Sequence, residues 1–344
     1  MVNASDVRLT QLSFGGDGLQ GPVPRRGAVF EVRHAASGLH AFIALHGEGP
    51  CFGGIRRHAY PTPAAAQAEA QALAEAMSWK VTLAGLGVGG AKAVVLDHPE
   101  LEVLPAYEAL GHAIAALEGR YFGGPDMGTG EAELGAVRVA TAHINSAVNH
   151  PSASTAAGVL AGVDAALAVR GESLQGAVAT VQGLGGVGAR VAAGLHARGA
   201  RLFVADVRAE AARHLGVPAT RLPGRALLAH PAALHAPCAV GHTLYPRARL
   251  GPGIVCGAAN VQLRSPETAA ALHRAGVLWC PDWLVNAGAV IEGVMVAQGR
   301  DRDAVQAALS AIGPRTHDVL SEARRRDVSP RVVALERCGA APRP

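Results

Sequence analysis

The run Gly183-Leu184-Gly185-Gly186-Val187-Gly188 constrains what this chain can fold into more than any other feature. A G-x-G-x-x-G spacing alone says little, so its context decides. Residues 177–182 before it read as a buried strand, and residues 189–198 after it as a helix closed by Gly199. Residues 201–205 read as a second strand ending at Asp206, 18 residues beyond Gly188. Strand, glycine turn, helix, strand and acid in that order are the fingerprint of a dinucleotide-binding parallel sheet. Each part has a mechanism. Gly183 permits the turn, Gly185 lets backbone approach a pyrophosphate, and Gly188 lets helix pack on strand. The helix N-terminus offers unpaired N–H groups to the phosphates. Asp206 is placed to accept hydrogen bonds from ribose hydroxyls, and its charge opposes a 2′-phosphate, which favours NAD; Arg208 is the one nearby group that would suit NADP. Strand-like runs at 236–240, 254–257 and 277–280 continue a βαβ series.

Upstream the pattern differs. Residues 27–46 alternate as a strand pair around Ala36-Ser37-Gly38, and Thr62-Pro63 reads as the start of a helix with Ala66, Ala70, Leu73 and Met77 at helical spacing. A short strand over 93–96, a helix over 104–118, and a strand into a Gly/Pro turn presenting Asp126 follow. Residues 145–154 read as a linker, 155–170 and 301–326 as helices, and 339–344 as a disordered tail. The expectation is an α/β chain of two domains, residues 1–147 and a Rossmann-type domain over 148–320, with residues 321–344 as a C-terminal helix and tail.

Composition enters through what it lacks. The only lysines are Lys80 and Lys92, the other 29 basic residues being arginine, and a glycine-rich loop joins the pair. Arginine cannot lose its proton at working pH, whereas a buried lysine beside other charges can, so the surviving pair reads as a site. The net charge of +4 is spread along the chain and aromatic content is 4%, which argues against a nucleic-acid partner. Five cysteines (Cys51, Cys238, Cys256, Cys280, Cys338) have no C-x-x-C spacing, and the fifteen histidines no ligand spacing. No metal is expected, and reduced thiols suggest a cytoplasmic protein. The N-terminus does not read as a signal peptide, and no window of about 18 uninterrupted apolar residues suggests a membrane span.

The chain from about residue 27 to Arg337 resembles the glutamate, leucine, phenylalanine and valine dehydrogenases, most closely the leucine and phenylalanine branch. The blocks that carry the likeness occur in the family's order: Phe52-Gly53-Gly54-Ile55-Arg56, Met77-Ser78-Trp79-Lys80, Ala84 to Lys92, Asp126-Met127-Gly128-Thr129, Pro151-Ser152 with Thr155, Ala236 to Gly241, Gly257 to Gln262, and Pro281 to Gly288. The resemblance implies NAD-linked oxidative deamination of an L-amino acid to a 2-oxo acid and ammonia, by a homo-oligomer assembled through the first domain; it gives residues 1–147 the substrate and oligomerisation role, sets a cleft between the two domains, and has residues 321–344 return toward the first. It implies that Lys80 holds the substrate carboxylate, Lys92 is the general base, and Asp126 shuttles protons at the amino group. It sets Phe52, Gly53, Gly54, Gly124, Val290 and Gly293 around the substrate, with the amides of Gly53 and Gly54 lining the pocket. It assigns Gly183, Leu184, Gly185, Gly186, Val187, Gly188, Asp206, Ala239, Asn260, Asn286 and Thr155 to the cofactor, with Ser152 nearby.

Departures bear on substrate. Phe52 occupies the position where glutamate dehydrogenases carry a lysine for the distal carboxylate, and a carboxylate against a phenyl ring without a cation is costly. Glutamate is therefore rejected. Phe52 in place of leucine narrows one wall, while Gly124 and Gly293, in place of alanine and valine, remove volume elsewhere. Branched aliphatic side chains are the first expectation and aromatic ones the alternative. Pro125 replaces the usual acid before Asp126. A catalytically inactive homologue that binds NAD or an amino acid is the remaining reading, and retention of Lys80, Lys92 and Asp126 together argues against it.

Overall fold

The computed structural model describes residues 2–12, 27–144, 151–239, 241–245 and 253–340. The chain forms two compact units, Met1–Ala147 and Val148–Pro344.

In the first unit β1 (Arg8–Leu12), β2 (Gly27–His34) and β3 (Leu39–His46) run antiparallel. The β2–β3 connection is a 3-10 turn over Ala35–Ser37 ending at Gly38 with φ +69, where the sequence placed it. β4 (Cys51–Phe52), β5 (Ile55–His58), α1 (Pro63–Leu83), β6 (Gly89–Leu96), α2 (Val103–Ala115), β7 (Tyr121–Phe122) and α3 (Glu131–Arg138) follow. The sheet order is β1-β2-β3-β6-β4-β7, with β5 also paired to β6. β6 is antiparallel to β3 and parallel to β4 and β5, so it forms the centre of the unit.

Alternation along β6 assigns its faces. Ala91, Ala93 and Val95 join Tyr107, Leu110 and Ile114 of α2 in one core. Val94 joins Ala66, Ala70 and Ala74 of α1 in the other. The α1 start is as expected, Pro63 following an N-cap Thr62 that accepts a hydrogen bond from the Ala65 amide. Its buried face is not. Leu73 and Met77 are only partly buried, and the packed series is Ala66, Ala70, Ala74 and Ser78. Small residues win because helix and strand approach closely: a Cβ at Gly90 would lie 2.0 Å from the Ser78 amide nitrogen and 2.5 Å from the Ala74 carbonyl oxygen. The glycines expected in a loop are therefore strand residues, and β6 begins at Gly89 rather than 93.

The second unit contains α4 (Pro151–Arg170), β8 (Val178–Gln182), α5 (Gly186–Ala197), β9 (Arg201–Ala205), β10 (Ala219–Arg221), α6 (Gly224–Ala229), β11 (Leu234–Pro237), β12 (Ile254–Val255), α7 (Pro266–Arg274), β13 (Leu278–Trp279), α8 (Asp282–Val285), α9 (Gly288–Ala297), α10 (Arg302–Ser310), α11 (Ile312–Arg326) and α12 (Pro330–Arg337). All its strand pairs are parallel, in the order β10-β9-β8-β11-β12-β13. This is the doubly wound order in which the chain reverses direction between β8 and β11, and ligands bind beyond the strand ends at that switch.

Three expectations change here. Residues 151–154, read as linker, are the first turn of α4, while 145–150 lie outside the described residues. Residues 301–326 form two helices meeting at Ala311. The boundary expected at 320 falls inside α11, so the C-terminal helices continue the second unit, α11 against α4 and α12 against α11. By length and composition α4 is apolar enough to cross a membrane, with a mean hydropathy of 1.5 over its most apolar window. Val159, Val163, Ala166 and Leu167 of that helix lie in the second unit's core. The expected tail at 339–344 is described only to residue 340.

Candidate active site

In the first unit, the segment from β4 into β5 and the loop after β7 are laced together. The amides of Gly53, Ile55 and Arg57 donate to the carbonyls of Phe122, Gly124 and Met127 at 3.0, 2.9 and 2.9 Å. The loop closes on itself through Thr129 N donating to Asp126 O at 3.0 Å. Asp126 is thereby held beside β5 and β6, though it lies far from both in sequence.

Lys92 is the fourth residue of β6, only 6% exposed, and its Nζ lies 2.5 Å from Asp126 Oδ2. The expectation that it sits where a loop enters a strand is corrected: it is mounted mid-strand, which fixes its backbone on both sides. Burial depresses the Lys92 ammonium from its ordinary value; the Asp126 charge and hydrogen bond oppose that, and Arg56 adds to the depression. Burial pushes the Asp126 carboxyl upward, but Lys92 and Arg56 outweigh it and hold it below the usual carboxylate range.

Arg56 is the residue the sequence reading missed. Its Nε donates to Asp126 Oδ2 at 2.9 Å and its Nη1 to Glu69 Oε1 of α1 at 2.5 Å. It stood inside a quoted block, yet as one of 29 arginines it had no spacing to mark it.

Gly54 leaves the space the pair needs: a Cβ there would lie 2.9 Å from Asp126 Cβ and 3.3 Å from Lys92 Nζ. Gly53 behaves differently from expectation. Its amide is committed to Phe122, and its Cβ would lie 1.7 Å from the Ala91 carbonyl oxygen. Gly53 is thus required by strand packing, and its N–H is not available to a ligand. Phe52 is buried and stacked on Phe122, ring centroids 4.7 Å apart at 11°. Tyr121 supports the floor, its hydroxyl donating to the carbonyls of Gly53 and Gly54 at 3.2 and 3.4 Å. Lys80 lies in the last turn of α1, and Gly124 supplies the carbonyl that receives the Ile55 amide.

In the second unit the glycine turn has the form a dinucleotide needs. A Cβ at Gly188 would lie 1.9 Å from the Gly183 carbonyl oxygen, so helix and strand meet there without side chains. Gly185 is the N-cap of α5 with no side-chain cap, is exposed, and has open space where a Cβ would be. Gly186, which starts α5 between Gly185 and Val187, faces Ser152, whose Oγ lies 2.8 Å from its Cβ direction. Unpaired helix N–H groups at an open surface suit a pyrophosphate. Asp206 Oδ2 accepts from the Leu184 amide at 2.7 Å, and Oδ1 from the Arg208 amide at 2.8 Å. Burial pushes this carboxyl up, but those bonds and the Arg208 side chain hold it below the usual range. Ala239 follows β11 and lies 2.8 Å from the Cβ direction of Gly183.

Asn260 and Asn286 are brought together: Asn286 Nδ2 donates to Asn260 Oδ1 at 2.9 Å and to the Ala258 carbonyl at 3.1 Å. Among the described residues the buried Asn286 Oδ1 has no hydrogen-bond partner, which leaves an acceptor for an amide donor such as a carboxamide. These residues fit a nicotinamide dinucleotide. Thr155 is buried on α4 beside Ser154, whose hydroxyl donates to Glu292 of α9. Gly288 permits that helix pair, its Cβ direction passing 1.9 Å from the Ser154 carbonyl oxygen. Val290 and Gly293 lie on α9 either side of Glu292, a residue the sequence reading did not single out. Among the described residues no cluster of three or more His, Cys, Asp or Glu could hold a metal ion.

Residues 25–143 match the family described as "Glu/Leu/Phe/Val dehydrogenase, dimerisation domain". Leucine dehydrogenase of Bacillus cereus is 32% identical over 313 residues, covering 87% of this chain and 86% of the relative. Valine dehydrogenase of Streptomyces albus is 36% identical over 323 residues, covering 87% of each. The crystal structure of L-tryptophan dehydrogenase from Nostoc punctiforme superposes with a TM-score of 0.80 at 28% identity, covering 90% of this chain and 94% of that one.

Proposed function

The chain belongs to the Glu/Leu/Phe/Val dehydrogenase family and is an amino acid dehydrogenase acting on CH–NH2 donors, and we propose that it deaminates a branched-chain apolar L-amino acid with NAD. One turnover takes amino acid, NAD⁺ and water to 2-oxo acid, ammonium, NADH and a proton. The observation that carries the reading is the buried Lys92 Nζ lying 2.5 Å from Asp126 Oδ2 under the space left by Gly54.

Lys80 serves as the fixed cation for the substrate carboxylate. Asp126 accepts a proton from the substrate ammonium, which must become a free amine before the α-carbon is oxidised. The nicotinamide cofactor, when bound, would supply the acceptor for the hydride of that carbon. Neutral Lys92 then takes a proton from the water that attacks the imine carbon, and Asp126 returns a proton to the departing nitrogen. Burial of Lys92 favours its neutral form in this role. The turn Gly183 to Gly188 would hold the pyrophosphate, Asp206 the ribose hydroxyls, and the Asn260–Asn286 pair the carboxamide. The Asp206 carboxylate at the end of β9 supports NAD over NADP, since it would meet a 2′-phosphate charge to charge.

Phe52, stacked on Phe122, stands where a distal carboxylate would need a cation, which supports an apolar substrate. Relatives named leucine and valine dehydrogenase, together 32–36% identical, support the branched-chain choice. We place the enzyme in the cytoplasm as a homo-oligomer joined through the first unit, in keeping with cysteines that form no disulfide among the described residues and the dimerisation family it matches.

The test follows NADH formation by its near-ultraviolet absorbance with a panel of L-amino acids at alkaline pH. Leucine, isoleucine and valine should give the highest kcat/KM, phenylalanine and tryptophan less, and glutamate none. Preference for an aromatic substrate would overturn the substrate class; no NADH with any member would overturn the activity.

A further inference from the structure

The Lys92–Asp126 pair poses a problem for the mechanism above, on which this inference rests. A carboxylate 2.5 Å from an ammonium holds it charged, whereas a base must be neutral. With two groups alone, releasing the Lys92 proton would strand the anion of Asp126, whose side chain is only 24% exposed. The site has two more charges. Arg56 Nε donates to the same Asp126 Oδ2 that Lys92 meets, at 2.9 Å, and Arg56 Nη1 reaches Glu69 Oε1. The register explains the convergence. Arg56 of β5 pairs with Val94 of β6, two residues from Lys92, so both side chains stand on the face covered by α1, which carries Glu69.

We propose that Arg56 is a positioning residue of the reaction: its guanidinium shares Asp126 Oδ2 with Lys92 and stays as the carboxylate's cation in the working form, where Lys92 is neutral. A guanidinium suits this part because it cannot give up its proton and its fork can serve two carboxylates at once. A lysine in its place would offer one point charge and could titrate with Lys92.

The charges facing Lys92 come from every neighbouring element. Asp126 and Glu69 hold its proton on, while Arg56 works against it. Tyr60, pushed up to about 12 by burial and Glu69, and Tyr121, pushed up by burial, stay neutral through the working range. Burial lowers His46 on β3, which is neutral there as well. α1 also carries Glu75 and Lys80.

Removing Arg56 must therefore raise the pH at which Lys92 becomes a base, and removing Glu69 must lower it. The test is the pH profile of kcat/KM for the full-length enzyme with L-leucine, beside NADH binding by fluorescence titration. In Arg56→Gln the rising limb should move to higher pH, with roughly a 10²-fold loss near neutrality that shrinks as pH increases. NADH affinity should be unchanged, and Arg56→Lys should bring the limb back toward wild type. In Glu69→Gln the limb should move to lower pH. Opposite displacements support the proposal, because a loosened fold would move both variants alike. Limbs that stay put, or move the same way, overturn it. Should Arg56→Gln fail to fold, Glu69→Gln decides alone: a downward shift supports, and an unmoved or upward one overturns. A wild-type enzyme that makes no NADH sinks the underlying reaction instead, so the two failures are distinct.

Discussion

Gly54 and Lys92 are complementary: the hydrogen that stands in for a side chain at residue 54 is what leaves the Lys92 amine its place, since a Cβ there would lie 3.3 Å from Nζ. The same Cβ would press on Asp126 Cβ and on the Pro125 carbonyl oxygen, both at 2.9 Å. Gly54→Ala should therefore push the acid–base pair apart rather than unravel the sheet. A displacement approaching 1 Å at such a pair costs on the order of 10²-fold in rate, whereas overpacking costs about 1–3 kcal/mol in stability. Steady-state kinetics and a thermal melt on the same sample measure both. Wild-type kcat/KM in this variant would remove Gly54 from the site.

The pH dependence of the wild-type enzyme follows from the sign of the Lys92 shift. In the proposed role its working form is neutral, and burial brings its pKa below the ordinary lysine value. Activity should rise with pH through that lowered pKa, in the window below about 10.4 where a free lysine would still be charged. Lys92→Ala should lose roughly 10²–10⁴-fold in kcat, the range general acid–base catalysis supplies, with NADH affinity intact. Lys92→Arg should be equally inactive, because it keeps the cation and removes the base. An active arginine variant would show that only charge matters at this position.

Cofactor choice should follow Asp206. Its two oxygens already take the Leu184 and Arg208 amides, and Arg208 Nε lies 3.4 Å from Oδ1. Replacing Asp206 by Ala removes the anion and frees the Arg208 guanidinium for a 2′-phosphate. Competition assays should show the NAD to NADP ratio of kcat/KM falling by roughly 10-fold or more, about 1.4 kcal/mol of discrimination. An unchanged ratio would place specificity elsewhere.

The glycine fingerprint, the two isolated lysines and the turn-borne Asp126 were legible along the chain because each rests on local chemistry: a backbone conformation, a proton that can leave, a carboxylate at a bend. So were the parallel sheet of the second unit and the cap at Thr62. The buried face of α1 was not, since Leu73 and Met77 fit the helical period as well as Ala74 and Ser78 do. Only the approach of Gly90 selects the smaller set. Gly53 illustrates the same limit. Its neighbour Gly54 serves the site and Gly53 serves the strand, and nothing in the pair of letters separates them.

The sequence by itself determined the class of fold, the glycine-rich turn and the residue types able to hold a carboxylate, lose a proton and relay one. Tertiary structure alone decided how they are joined. Lys92 and Asp126 stand 34 positions apart and Arg56 and Asp126 stand 70 apart, yet all three meet at one carboxylate oxygen. Periodicity and spacing report on neighbours within a turn or a strand, whereas a charge responds to whatever the fold brings within a few ångströms. For that reason Lys92 was visible in the sequence, and the arginine beside its carboxylate partner only in the fold.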